Sequence, residues 1–127
     1  MSILTHITLG TADLGRAKTF YDEVLAPLHY KRMVDIEGRI CGWGIDAPQF
    51  LVGLPRNGEA ATSSNGFTIG LAAPNRAAVD QFHARALALG ATDEGAPGPR
   101  PFGKDAYAAY IRDPDGHKIM ANCRTPE

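Results

Sequence analysis

Four histidines, two cysteines and the acidic turn DPDG (113–116) are the groups in this chain best placed to do chemistry. His6 stands inside the short apolar stretch THITLG (5–10). Alternation along a strand turns it away from Ile7 and Leu9 and puts Thr8 on its own side. An imidazole there has three uses. It can hydrogen-bond a bound molecule, which is the preferred reading. It can satisfy a polar neighbour, or act as a general base, because its ordinary pKa lies near neutrality. A base needs an orienting partner, and the sequence marks none. His29, His83 and His117 fall at a helix end, on a helix flank and beside a turn, where structural duties suffice. Cys41 and Cys123 form no C-x-x-C pair and read as free thiols of a reducing cytosol. DPDG has the look of a calcium loop, but no acidic residue follows at the required spacing, so it reads as a tight turn.

Elements must position these groups, and they come in two copies. Laying residues 6–26 over 68–88 matches Ile7 with Ile69, Leu9 with Leu71, Phe20 with Phe82 and Leu25 with Leu87. Asp13 falls on Asn75, one good helix cap on another. Each copy reads as a strand (3–11 and 67–72), a cap and a helix (14–25 and 76–89). The first helix carries the stripe Leu14, Ala17, Tyr21, Val24 and Leu28. The second carries Val79, Phe82, Ala86 and Leu89, with Gly90 as its stop. Residues 39–45 and 49–54 read as a hairpin with its turn at 46–48. A second hairpin is centred on 113–116. If Arg112 faces His117 there, Ala109 faces Met120 and Tyr107 faces Asn122, and these residues share the strand face of His6. Tyr110 and Ile119 then pack under the helices. The stretch EGAPGPRPFGK (94–104), with three prolines and three glycines, reads as an irregular loop, either a lid over a site or plain surface.

The whole reads as a single domain over 1–127: module one about 3–54, a Gly/Ser/Thr/Asn-rich linker at 55–66 and module two about 67–123. At 127 residues and 44% hydrophobic it can build an ordinary core. Thirteen basic and fourteen acidic residues leave a net charge of −1 without a basic block, which argues against nucleic acid and anionic membrane as partners. No apolar run is long enough to span a bilayer and no leader is visible, so a soluble cytoplasmic protein is expected.

HITLGTADLGRAKTFYDEVLAPL (6–28), followed far downstream by YIRDPDGHKI (110–119), resembles the vicinal oxygen chelate superfamily, which holds glyoxalase I, bleomycin-resistance proteins, fosfomycin-resistance enzymes and extradiol dioxygenases. The resemblance runs from Leu4 to about Cys123. It implies an α+β fold of paired βαβββ modules, forming a curled mixed sheet around a cleft with the helices outside. It also implies a divalent metal in that cleft, acting as a Lewis acid and held by a His or Gln in the first strand and a Glu in the last strand of each module. Carried onto this chain, the resemblance puts His6 at the first position and Thr68 at its repeat. Met120 stands where the second Glu belongs, with Gln49 or Phe50 nearest the first. His6 is the one matching ligand. Thioether and hydroxyl are poor donors to a hard dication, so no metal or other cofactor is expected, a divalent metal being the alternative.

The expected ligand-binding cleft is His6, Thr8, Phe50, Thr68, Gly70, Tyr107, Met120 and Asn122, with His6 and Tyr107 as catalytic candidates. Trp43 and the loop residues Phe102, Lys104 and Asp105 are outer candidates. Such a lining suits an uncharged or weakly polar small molecule. Three readings follow from the resemblance. One is a metal-free binding protein like the bleomycin-resistance branch. Another is a metal-dependent glyoxalase-like lyase or dioxygenase with unusual ligands. The third is a relative kept for interaction alone. The family also implies a homodimer.

Overall fold

Leu14–Leu25 form helix α1 because cap and stripe agree. The Asp13 carboxylate accepts the Arg16 backbone N–H at 3.0 Å, satisfying one free donor of the first turn. Ala17, Phe20, Tyr21, Val24 and Leu25, three and four apart, are the residues the helix buries. Arg76–Ala88 form helix α2 by the same device, with the Asn75 side chain accepting from Ala78 N–H at 2.9 Å. Gly90 ends it at φ +97°, in the left-handed region that costs glycine nothing. Val79, Phe82 and Ala86 are buried as expected, but Leu89 is exposed and His83 is buried in its place. The His83 ring escapes the cost of burial through Asp93, whose carboxylate lies 2.9 Å from Nε2.

The computed structural model describes residues 2–126, so Met1 and Glu127, the two ends of the expected domain, lie outside it. Eight strands are found among the described residues: β1 (Ile7–Gly10), β2 (Lys31–Ile36), β3 (Ile40–Gly44), β4 (Pro48–Gly53), β5 (Ile69–Ala72), β6 (Thr92–Pro99), β7 (Tyr107–Arg112) and β8 (Lys118–Cys123). They make two sheets, ordered β1-β4-β3-β2 and β5-β8-β7-β6. In each, the first strand runs parallel to the last. The chain is therefore βαβββ twice over, an α+β fold with one helix on one face of each sheet. The expected paired modules are laid out as two four-stranded mixed sheets that do not close on each other, with β1 and β5 each keeping an unpaired edge among the described residues.

The helix-covered faces of both sheets meet in one core. Its centre is aromatic: the Tyr21 ring lies 4.9 Å from both Phe20 and Phe50, and Trp43 closes the cluster at 5.6 Å from Tyr21. Burying each such ring contributes roughly 1.5–3 kcal/mol. Trp43 keeps its indole N–H satisfied by donating to Asp22 at 3.0 Å. Cys41 and Cys123 are both buried and free, as expected.

Two expectations fail at the margins, and one strand had gone unread. The first strand covers 7–10 rather than 3–11. Residues 94–99 are not irregular but belong to β6, an outer strand whose free edge needs no N–H, so Pro97 is tolerated. Strand β2 had no alternating signal to find, because of its residues only Val34 is even half-buried.

Candidate functional site

The DPDG turn does more than reverse the chain. Asp113, 4% exposed, accepts from the N–H groups of Asp115 (3.0 Å) and His117 (2.9 Å), and from the Tyr21 hydroxyl at 2.5 Å. Burial first, and the neighbouring Asp113 carboxylate second, push the Tyr21 phenol well above its usual value. Asp115 accepts from the Thr11 hydroxyl at 2.6 Å, the Ala12 N–H at 3.0 Å and Arg16 at 3.1 Å. The His117 ring reaches Gly10 O at 2.7 Å. From the other side, the Tyr30 hydroxyl donates to Ala72 O at 2.6 Å. Gly10 and Ala72 are equivalent in the repeat, so each module holds the end of the other's first strand.

This turn also sets the register of β7 and β8. Asp113 takes the His117 N–H on its carboxylate and donates its own N–H to His117 O at 2.9 Å, so His117 faces Asp113 and Arg112 pairs with Lys118. Tyr110 then faces Met120, Ala108 faces Asn122 and Tyr107 faces Cys123. The expected pairing was off by one residue, and such a slip exchanges faces. Tyr107 and Ala109 belong to the helix-covered face. Tyr110 belongs to the open face with Met120, Asn122 and Gly70, and a Cβ on Gly70 would lie 3.4 Å from Met120 Sδ and 3.5 Å from Asn122 Nδ2. The Tyr107 hydroxyl donates to Asp80 on α2 at 2.6 Å, and that bond is the chief cause of its raised pKa. Tyr107 is thus removed from the cleft and from the catalytic candidates. Phe102, on the turn between β6 and β7, is 44% exposed and stacks under Arg124.

His6 precedes β1, is exposed, and shares a hydrogen bond of 3.0 Å between Nδ1 and the Thr5 hydroxyl. It lines a cavity of about 260 Å³ at the seam between the modules, with Tyr30, Trp43, Gln49, Phe50 and Gly70. Partial burial raises the Tyr30 phenol pKa. Of the expected cleft residues, His6, Phe50 and Gly70 meet in this cavity, whereas Thr8, Thr68, Tyr107, Met120 and Asn122 do not line it. Phe50 is only 4% exposed and belongs to the aromatic core, touching the cavity by its edge. Thr8 faces a shallow groove under the linker, with Asn57 and Ala61. Gly70 joins the two regions, since it lines the cavity and pairs with Met120 on the open face of β5 and β8.

The family's metal can be tested against these donors. Thr8 pairs with Leu51 as Gly70, its repeat equivalent, pairs with Met120. The counterpart of Met120 in module one is therefore Leu51, not Gln49 or Phe50. Both carboxylate positions hold apolar side chains, and the second imidazole position holds an exposed threonine. Among the described residues no three His, Cys, Asp or Glu side chains gather as a cation would need. One imidazole without a carboxylate neither neutralises nor encloses a hard dication, so the residues do not fit the group.

Sequence reasoning missed Tyr110, Lys118, Arg112 and Leu51. The signal for Tyr110 and Arg112 was Asp113 itself, an Asx residue able to lengthen the turn by capturing later N–H groups, and the signal for Lys118 was its alternation with Met120 and Asn122.

Residues 3–121 match the model of the Glyoxalase/Bleomycin resistance protein/Dioxygenase superfamily. Among solved structures, a glyoxalase/bleomycin resistance protein from Albidiferax ferrireducens is 38% identical, with a TM-score of 0.89 over 98% of this chain and 100% of that one. A lactoylglutathione lyase from Agrobacterium tumefaciens is 23% identical, with a TM-score of 0.66 over 96% of this chain and 93% of its own. The fosfomycin resistance protein FosX from Mesorhizobium loti is 20% identical, with a TM-score of 0.68 over 98% and 94%. The last two are alike in fold alone. No curated protein matches significantly. No helix among the described residues is long and apolar enough to cross a membrane.

Proposed function

The chain belongs to the Glyoxalase/Bleomycin resistance protein/Dioxygenase superfamily, and we propose that it is a binding protein of that family, holding a small organic molecule without a metal. The observation that carries this reading is the replacement of both family carboxylates by Leu51 and Met120. The ligand sits in the seam cavity and extends over Gly70 onto Met120 and Asn122. His6 Nδ1 is occupied by Thr5, which leaves Nε2 to hydrogen-bond the ligand. Gln49 adds an amide, and the edges of Trp43 and Phe50 supply apolar contact. Gly70 has no side chain and is exposed, which leaves the passage between cavity and open face clear.

The homodimer is part of the proposal. The unpaired edges of β1 and β5 are surfaces a second copy would cover. Light scattering should give twice the chain mass at micromolar concentration, and a monomer there would remove this part.

The test of the binding reading is a ligand-observed NMR screen of small organic molecules, run beside elemental analysis of the purified protein. Binders should appear that Gly70→Leu abolishes while leaving the melting curve in place. Stoichiometric divalent metal bound through His6 would overturn the metal-free reading and favour a glyoxalase-like lyase or dioxygenase. A screen in which Gly70→Leu changes nothing would overturn the site.

A further inference from the structure

Resting on that reading, we infer that the molecule taken by the open face of module two is an organic anion with a flat, conjugated body. The charge of that face and the ring at its centre carry the inference.

Tyr110 lies in the middle of this face, paired with Met120 on one side and Gly95 on the other. Two cations flank its ring: Lys118 Nζ lies 5.2 Å from the centroid and Arg100 Cζ 5.5 Å from it. Both distances are in the range of cation–π attraction. The Arg100 guanidinium lies along β6, donating to the carbonyls of Ala96 (2.8 Å), Gly98 (2.9 Å) and Pro99 (3.1 Å). It fits there because β6 lacks side chains beneath it. A Cβ at Gly95 or Gly98 would come within 3.3 Å of a guanidinium nitrogen, and one at Gly95 within 3.1 Å of the Tyr110 ring. The glycines that made 94–104 look like a loop thus make room for a stacked arginine. Arg112, the third cation, donates to Gly116 O at 2.6 Å and pairs with Glu94 at 3.4 Å.

Three cations against one carboxylate leave the face positive in a chain whose net charge is −1. Glu94 serves Arg112. Among the described residues Lys118 and Arg100 pair with no carboxylate. Their ordinary partner on a protein surface would be an acidic side chain, and none is supplied. A carboxylate, sulfonate or similar group on a ligand would complete the set, while its planar body lies on Tyr110 and the Met120 thioether. The weakly polar ligand expected from sequence depended on the slipped register, which put Tyr107 and Ala109 where Ala108, Tyr110 and Arg112 stand. The patch is too small, and the chain too near neutral, for a nucleic acid strand.

The test uses matched probes: benzoate with benzamide, 2-naphthoate with 2-naphthamide, and indole-3-acetate with indole-3-acetamide. Each is titrated at low salt and followed by amide chemical shifts. The acid of a pair should bind at least about tenfold tighter than its amide, shifting residues of β7 and β8, and the gap should shrink as salt rises. Lys118→Gln should bring the acid down to the level of the amide without moving the amide, and Lys118→Arg should restore the gap. Acid and amide binding alike, or a gap that survives Lys118→Gln, would overturn this inference while leaving the binding reading intact. Titrations in which neither member of any pair shifts β5, β7 or β8 would overturn both.

Discussion

Tyr21→Phe removes one oxygen from the place where the two modules are tied. The ring itself fits unchanged against Phe20, Trp43 and Phe50. What is lost is the 2.5 Å hydrogen bond to Asp113. That carboxylate is 4% exposed and the ring beside it 1% exposed, so water cannot readily take the vacated position. Asp113 keeps two backbone donors on its other oxygen. A charge-assisted bond lost with one acceptor left buried costs about 1.5–3 kcal/mol. For a domain of this size that corresponds to a fall in Tm of roughly 5–15 °C. Urea titration followed by circular dichroism gives the free energy, and thermal melts give the Tm. Asp113→Asn keeps the shape and the acceptor for the two backbone donors, so the cycle with Tyr21→Phe measures what the carboxylate adds to the bond. The coupling should reach about 1 kcal/mol or more. A loss below about 0.5 kcal/mol, or two single effects that simply add, would refute the clamp.

The alkaline limb follows from the same residue. Burial holds Tyr21 neutral in the fold above its ordinary 10.0, so the unfolded chain loses that proton first. Its contribution is complete below about pH 10 and declines as pH rises beyond; stability curves between pH 9 and 11 should fall more steeply for the parent than for Tyr21→Phe. His6→Ala should leave stability within about 0.5 kcal/mol, because an exposed ring whose hydrogen bond among the described residues goes to Thr5 has few contacts to lose. The same change should weaken a seam ligand by about 1–3 kcal/mol in calorimetry, and unchanged affinity would remove His6 from the site. Thr68→His with Met120→Glu should create saturable Zn²⁺ binding that the parent lacks; no gain would show that more than missing donors separates this chain from the metal-binding pattern.

Much of the fold was written in local sequence. Both helices, their caps at Asp13 and Asn75 and the repeat itself were legible because stripe and cap act within a few residues of one another. Strands β3, β4, β5, β7 and β8 were legible because burial on one face enforces alternation. The outer strands β2 and β6 were not. An outer strand has one ladder partner and little burial, so its sequence is free to be polar, as in Lys31–Ile36, or rich in glycine and proline, as in Thr92–Pro99.

The site divides along the same line. The sequence by itself determined which donors this chain lacks, since Thr68 and Met120 bring neither imidazole nor carboxylate to a divalent metal however the chain folds. Which side chains share the open face was decided by the tertiary structure. Asp113, buried and bonded to Tyr21 of the other module, takes the His117 N–H on its carboxylate and faces His117 across the turn. That contact between distant parts of the chain moves the register by one residue. Because strand side chains alternate with a period of two, one residue is enough to pack Tyr107 against α2 and set Tyr110 and Arg112 on the open face beside Lys118.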